Sequence, residues 1–537
     1  MTRAILLWGT WGALTVAGLV FVAWYGRNCP LLDEWGFLDT YAGQADLLDW
    51  LWDTHSEHRY PAGRLIYLGL FRLTGDLRPG MVLNLLCLSG SAAMLLVTAR
   101  RARGAYSLAD LFFPLAFLHP GHWDNVLMSY QLCFTLPLAA AAGLAYLTIA
   151  RIGAWNWRCS ATAGLIVAIL PGFGMGGVVL AAGAGMPLAG LAFLLLRRGQ
   201  VASGLVLAVG LAVAAAADGC VLASYKGLAT PPVPRTADAL YYFCSRVTAM
   251  GFGPAAEWLW RAGTGAVVVV AVAGGLGVCR ALRNGEVTAA VAALTVPTGA
   301  MLVLAALTWG RGWTRVEGAM VCRYSALALP MLFGAYLLAV RFGGRWLRVA
   351  GPASFAAIIA VAWPTDARVG LTHANRVAWQ MDALAVDLAA GLPPDLIGER
   401  YDRQVLLAHP GMSSDFDTAA RLGFTPFQHY EPARAANMHR IPLVPPPADV
   451  VAAGWEVPAG AAVRLTGAFV PRRDIFGDVR IRVTTEGGAR EELFWIAKNA
   501  RRYLVVRLDG KPARIEIDSG PGDSTYRVTA VELVTPD

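Results

Sequence analysis

Charge is what this sequence has least of. Only 15% of its 537 residues are Asp, Glu, Lys or Arg, against 56% hydrophobic ones, and the mean hydropathy is +0.49. A soluble chain carries about a quarter charged residues, so a surface facing water all round is excluded. Metal-type cysteine pairing is also missing. The cysteines Cys29, Cys87, Cys133, Cys159, Cys220, Cys244, Cys279 and Cys322 contain no C-x-x-C pair, which argues against a metal cluster. No internal repeat and no low-complexity segment is present. The first apolar run, Ile5–Tyr25, lacks a small-residue cleavage site and is too long for a signal-peptide core. It is read as a retained helix with its N-terminus in the cytoplasm. The glycine-rich Pro171–Gly177 lacks the Lys-Ser/Thr of a P-loop; a helix-breaking turn lining a cavity is expected there.

What is present is a series of long apolar runs: Ile5–Tyr25, Met81–Ala99, Ser107–Leu118, Leu132–Ala150, Ala161–Leu170, Val178–Leu196, Val201–Ala217, Ala262–Val278, Val287–Leu307, Tyr324–Val340 and Leu347–Trp363. They predict about eleven membrane-spanning helices, two of them short. Alternate loops hold Arg100, Arg101 and Arg103; Arg151 and Arg158; Arg197 and Arg198; Arg280 and Arg283; and Arg341, Arg345 and Arg348. This alternation puts those loops inside. It also accounts for the formal net charge of +8, so a nucleic-acid partner is not expected.

An odd number of spans places the rest of the chain outside. The resulting expectation is an α-helical polytopic membrane protein with a C-terminal extracytoplasmic region ending in a small β-sandwich. A transmembrane domain covers 1–365, with its first outer loop over 26–80. A helical and linker region covers 366–447, with a stiff stretch at Pro442–Pro447. A β-sandwich covers 448–537, with strands predicted at Val479–Val483, Glu491–Ile496, Tyr503–Leu508, Arg514–Ile517 and Arg527–Val534. In the first outer loop, Leu47, Leu48, Leu51 and Trp52 predict a short amphipathic helix on the membrane surface.

The candidate chemistry lies in the outer loops. Asp33-Glu34-Trp35 follows the first span, and Glu57-His58-Arg59 comes some twenty residues later; ionisable residues this close to lipid mark a site. Further loops add His119, His122, Asp124 and Asn125, then Arg311 and Arg315, then Arg323-Tyr324. Carboxylates can act as general bases on a hydroxyl. Arginine matches phosphate through forked, charge-assisted hydrogen bonds. Together they suit chemistry on a lipid-linked phosphate. The competing readings are ordinary: a solvated acidic pair, an internal salt bridge at Glu57–Arg59, an interfacial belt at His119–Asn125, and arginines reaching for lipid headgroups. His55 and His58 could hold a metal, but no third ligand is visible, so no metal site is assigned. In the β-domain, Trp495, Tyr503 and Tyr526 could stack on a glycan or simply fill the core.

Placed on this topology, Asp33-Glu34, Glu57-His58-Arg59 and Arg323-Tyr324 resemble the GT-C superfamily of integral-membrane glycosyltransferases, over about Met1 to Trp363. No sequon-reading or acceptor-peptide signature accompanies them, which speaks against protein glycosylation. The resemblance implies a polyprenyl-phosphate sugar as donor and a glycan, lipid or protein hydroxyl as acceptor. It implies a bacterial inner (plasma) membrane location, with the C-terminal domain periplasmic or extracellular. Asp33 would be the general base of an inverting transfer. Glu34 would orient the acceptor or hold a divalent cation, Mg or Mn. Glu57, His58, Arg59, His122, Asp124, Asn125, Arg311, Arg323 and Tyr324 would bind substrate and lipid phosphate. Two other classes stay open: a lipid-linked glycan transporter or flippase, which the lack of a repeat disfavours, and a non-catalytic envelope assembly protein.

Overall fold

A computed structural model divides the chain into two compact units, Met1–Gly26 with Ala45–Asn375, and Arg27–Gln44 with Arg376–Asp537. It describes all residues except 1, 55–58, 224, 226–235, 313–318, 402–404, 407–411, 432–437, 446–453, 471–475, 498–500, 519–524 and 537. At 467–470, 476–478, 493–497, 501–503, 525–527 and 536 it describes the backbone alone.

The first unit is helical. Among the described residues, 9 helices are long and apolar enough to cross a bilayer: α1 (Thr2–Tyr25), α2 (Arg78–Arg103), α3 (Ser129–Ala150), α4 (Met175–Arg197), α5 (Val201–Ala223), α6 (Ala256–Arg283), α7 (Val287–Arg311), α8 (Cys322–Phe342) and α9 (Leu347–Ala389). In hydrocarbon only a helix satisfies its own N–H and C=O groups over such runs. Helix α9 outruns its expected end at Trp363, because Ala374, Ala378, Met381, Leu384 and Leu388 continue at helical spacing and are buried.

The two shortest expected spans take a different form. Ser107–Leu118 is a 3-10 turn, Leu108–Leu111, followed by a helix of 6 residues, Phe112–Phe117. Phe112, Phe113, Ala116 and Phe117 are wholly buried, as suits an apolar run too short to face lipid along its length. Ala161–Leu170 falls in a helix, Trp157–Ile169, that runs on as a 3-10 turn over Leu170–Phe173.

Hydrogen bonds set the direction of the helices. Asn84, near the start of α2, donates to the Met128 carbonyl at 2.9 Å and accepts from Thr135 of α3 at 2.6 Å. Arg101, near the end of α2, donates to Tyr146, near the end of α3. The two helices therefore run the same way, and the chain between them returns from the Arg103 end to the Asn84 end. The return starts at a buried knot. Arg103 meets both Asp110 oxygens at 2.9 Å, Tyr336 donates to Asp110 at 2.7 Å, and the Ser107 N–H caps it at 2.8 Å. A buried carboxylate is tolerated only when paired and fully hydrogen-bonded in this way.

The surface helix expected after the first span is Leu47–Trp52, capped by Asp46, which accepts from the N–H groups of Leu48 and Asp49. Leu47, Leu48 and Trp52 are exposed while Trp50 is buried.

The second unit closes on Trp35. Its ring packs against Phe427 and Phe416 at 5.5 and 6.1 Å, and its indole N–H donates to the Val405 carbonyl at 3.1 Å. Two antiparallel sheets follow: β1 (Met438–Leu443), β8 (Thr525–Pro536), β3 (Ala462–Val470) and β6 (Arg501–Arg507) in one, and β2 (Trp455–Val457), β7 (Ala513–Asp518), β4 (Phe476–Thr485) and β5 (Gly488–Ala497) in the other, each in that order. Alternate residues such as Val463, Leu465, Val479, Ile481, Val483, Ile515 and Ile517 form the core between them. The predicted strands fall on β4 to β8. The stiff stretch expected at Pro442–Pro447 begins inside β1, where Pro442 pairs with Glu532; an edge strand tolerates the missing N–H.

Candidate functional site

In the first unit two polar segments far apart in sequence meet. The 3-10 turn Pro120–His122 and the short helix Trp123–Val126 pack on the turn Cys322–Tyr324 that opens α8. His122 Nε2 lies 2.9 Å from the Ala116 carbonyl, which can only accept, so this nitrogen carries the proton. Its Nδ1 faces the Ser325 hydroxyl at 3.0 Å and the Asn125 amide at 3.5 Å. Asn125 also donates to Ser325 at 3.3 Å, and Ser325 donates to the Cys322 carbonyl at 2.8 Å. His122, Asp124, Asn125 and Ser325 are all buried. Burial pushes His122 down to about 4. His119 stacks on it with ring centroids 4.4 Å apart, and burial followed by the charge of His122 holds His119 well below its usual value. Both imidazoles are neutral at ordinary pH.

Helix α9 supplies the wall behind these turns. His373 stacks flat on Trp123 at 5.1 Å. Gly370 passes so close that a Cβ there would lie 2.0 Å from the Pro120 carbonyl. Asp366, wholly buried, accepts the Ala255 N–H at 2.7 Å. Its carboxylate fills the space a side chain would need at Gly253, where φ is +94°.

Of the residues singled out from sequence, His122, Asp124, Asn125, Arg323 and Tyr324 belong to these packed segments. Arg323 and Tyr324 are half-buried, and Tyr324 packs against the helical core. Arg311 is half-buried at the end of α7. Arg59 donates to the Trp52 carbonyl and lies 5.6 Å over that ring. Arg64 is buried between Trp50 and Tyr60, at 5.0 and 4.9 Å from their ring centres, and donates to the Trp50 and Asp53 carbonyls. Its guanidinium braces the surface helix. Glu57 and His58 lie outside the described residues, as do His55, Arg315 and the side chains of Trp495, Tyr503 and Tyr526.

Asp33 and Glu34 fall in the second unit, apart from the other candidates by chain division. Glu34 has a structural task there: it is 0% exposed and accepts the Leu31 N–H at 3.0 Å across the turn Leu32–Phe37. Burial, then the charge of Glu34, pushes the neighbouring Cys29 thiol well up. A carboxylate enclosed in this way does not suit the cation-holding role expected of it. Asp33 is half-buried and follows Leu32, whose φ of 50° is rare for a residue with a side chain.

Among the described residues no disulfide joins the cysteines. Among the described residues no group of three or more His, Cys, Asp or Glu is placed to hold a metal ion. The Pro171–Gly177 stretch is a helix-breaking turn: Gly174 has φ of 90° and α4 starts at Met175. A Cβ on Gly172 would lie 2.8 Å from the Ala62 side chain, so the turn packs on the helix Pro61–Thr74.

Ser325 and Asp366 are site residues that the sequence does not single out. For Asp366 a signal existed, a lone acid within an apolar helix; for Ser325 there was none. Comparison with protein-family models, with curated proteins and with solved structures returns no match.

Proposed function

We propose that this chain is an integral-membrane glycosyltransferase. It would move a sugar from a polyprenyl-phosphate donor to a hydroxyl on an envelope glycan, lipid or protein, on the outer face of the membrane. The observation that carries the reading is the buried His122–Asn125–Ser325 network, which joins the turn bearing Asp124 to the turn bearing Arg323. Holding polar turns in this way at the end of a lipid-embedded bundle is costly unless a polar substrate is handled there.

In this reading the acceptor oxygen attacks the anomeric carbon and the bond to the lipid phosphate breaks. Arg323 and Arg59 offset the charge on the departing phosphate. Asp124, on the turn that the network holds, orients the acceptor and takes its proton.

The reading includes eleven crossings with the N-terminus inside. The parallel course of α2 and α3 supports a crossing by the broken segment Ser107–Leu118. The segment Trp157–Phe173 joins the Tyr146 end of α3 to the start of α4 and supplies the other short one.

Proteoliposomes holding the full-length protein and a radiolabelled polyprenyl-phosphate sugar test the function. Asp124→Asn and Arg323→Ala are each expected to lower transfer at least about a hundredfold, with thermal unfolding close to that of the parent. Full transfer by both would sink the site. Movement of intact lipid-linked sugar without bond cleavage would favour the transporter.

A further inference from the structure

Beside the histidine pair lies a cavity of about 340 Å³, within the usual size range of ligand pockets. Leu14 and Phe21 of α1, Leu85 and Leu88 of α2, and Val126 form apolar walls. Its lip is Val20 and Trp24, 59% and 71% exposed on the outward side of a helix that packs on α2 by its other side. On a membrane-spanning helix such a lip faces lipid, so the cavity opens sideways into the bilayer.

The polar end is unusual. His119 is 98% buried, being 2% exposed, and lines the cavity, yet neither ring nitrogen has a hydrogen-bond partner. The indole N–H of Trp363, also in the lining, has none either. An orphaned buried polar group is destabilising, and one that borders an open cavity can recover its hydrogen bonds from a ligand. Among the described residues, no Asp, Glu, Lys or Arg lines the cavity. A phosphate or carboxylate would thus be buried with no cation to offset it.

We propose that this cavity binds the end of an uncharged lipid, with its chain along α1 and its hydroxyl or carbonyl oxygen hydrogen-bonded to His119. A neutral imidazole presents one donor and one acceptor, which matches a hydroxyl. The held-down pKa of His119 keeps it in that form. This ligand differs from a phosphate-bearing donor, and the site stands whether or not the chain transfers sugar.

The test uses the full-length, delipidated protein in detergent and three dibrominated C18 probes: an alcohol, the matched alkane and the matched alkyl phosphate. Bromine quenches tryptophan, and Trp24, Trp123 and Trp363 all line the cavity. The alcohol should bind saturably, with alkane and alkyl phosphate about tenfold weaker or more. His119→Phe should weaken the alcohol about tenfold and bring it level with the alkane. Ala17→Trp, an exposed position on the lining, should abolish saturable binding of all three. Unchanged alcohol binding in either variant, a preference for the phosphate, or no saturable binding by the parent protein overturns the proposal.

Discussion

At the scale of single residues, the first unit's two buried imidazoles tie its stability to pH. A histidine whose folded pKa lies below its unfolded value of about 6.5 takes up its proton more readily when unfolded. Stability is therefore full above about 6.5 and falls as the pH drops towards the folded value, which for His122 is about 4. The slope from one histidine is at most about 1.4 kcal/mol per pH unit. Delipidated protein should lose thermal stability between pH 6.5 and 4. His119→Phe should flatten part of that slope and leave the stability at pH 7.5 equal or higher, because it removes two unpartnered nitrogens from a buried position. A parent whose unfolding temperature does not change over that interval would contradict neutral burial of the pair. Residue-level reading of the sequence singled out His122, Asp124 and Asn125 by type alone. It could not show that Ser325 is their partner, since 203 positions separate it from His122. Nor could it show that the Glu34 carboxylate accepts the Leu31 N–H; an acid beside a turn reads the same in a structural role and in a site.

At the scale of elements, small residues decide how closely segments approach. Gly370 leaves no room for a Cβ against the Pro120 carbonyl, while Gly9 on α1 has nothing within 4 Å of where a Cβ would stand. Gly370→Ala should push α9 away from the turn that carries His119 and His122. The cost expected for overpacking is about 1–3 kcal/mol, read as a lower unfolding temperature, with a parallel loss of sugar transfer. Gly9→Ala should do neither, and equal effects from the two would remove the proposed contact from the site. The long helices and most strands were legible because a single period runs through each, 3.6 in the apolar runs and 2 in stretches such as Arg514–Ile517. The return segment Ser107–Leu118 was legible as apolar but not as broken, because burial among aromatic rings replaces helical continuity there. Nor does any periodic signal connect Arg27–Gln44 with Arg376–Asp537. That link is tertiary, made by Trp35 with Val405, Phe416 and Phe427.

At the scale of the whole molecule, the number of crossings decides which face each loop occupies. Eleven crossings and nine have the same parity. Both put the chain after α9 on the face opposite the N-terminus, so the location of the C-terminal region cannot distinguish them. The loop between α3 and the helix Trp157–Ile169 can. If both short segments cross, Arg158 shares a face with Arg101, Arg198 and Arg283; if neither does, Arg158 lies on the other face. The hydrogen bond from Arg101 to Tyr146 favours the first arrangement, because it holds the end of α3 level with the end of α2. Single cysteines placed at Arg101, Arg158, Arg198 and Ser414 in a cysteine-free chain should separate the alternatives. With an impermeant thiol reagent applied to intact cells, Ser414 should react and the three arginine positions should not; after permeabilisation all four should react. Labelling of the Arg158 position in intact cells would mean that the short segments dip and return. That outcome would put the turn carrying His122, Asp124 and Asn125 on the face opposite the start of α8, and would contradict both the His122–Ser325 contact and the site built on it.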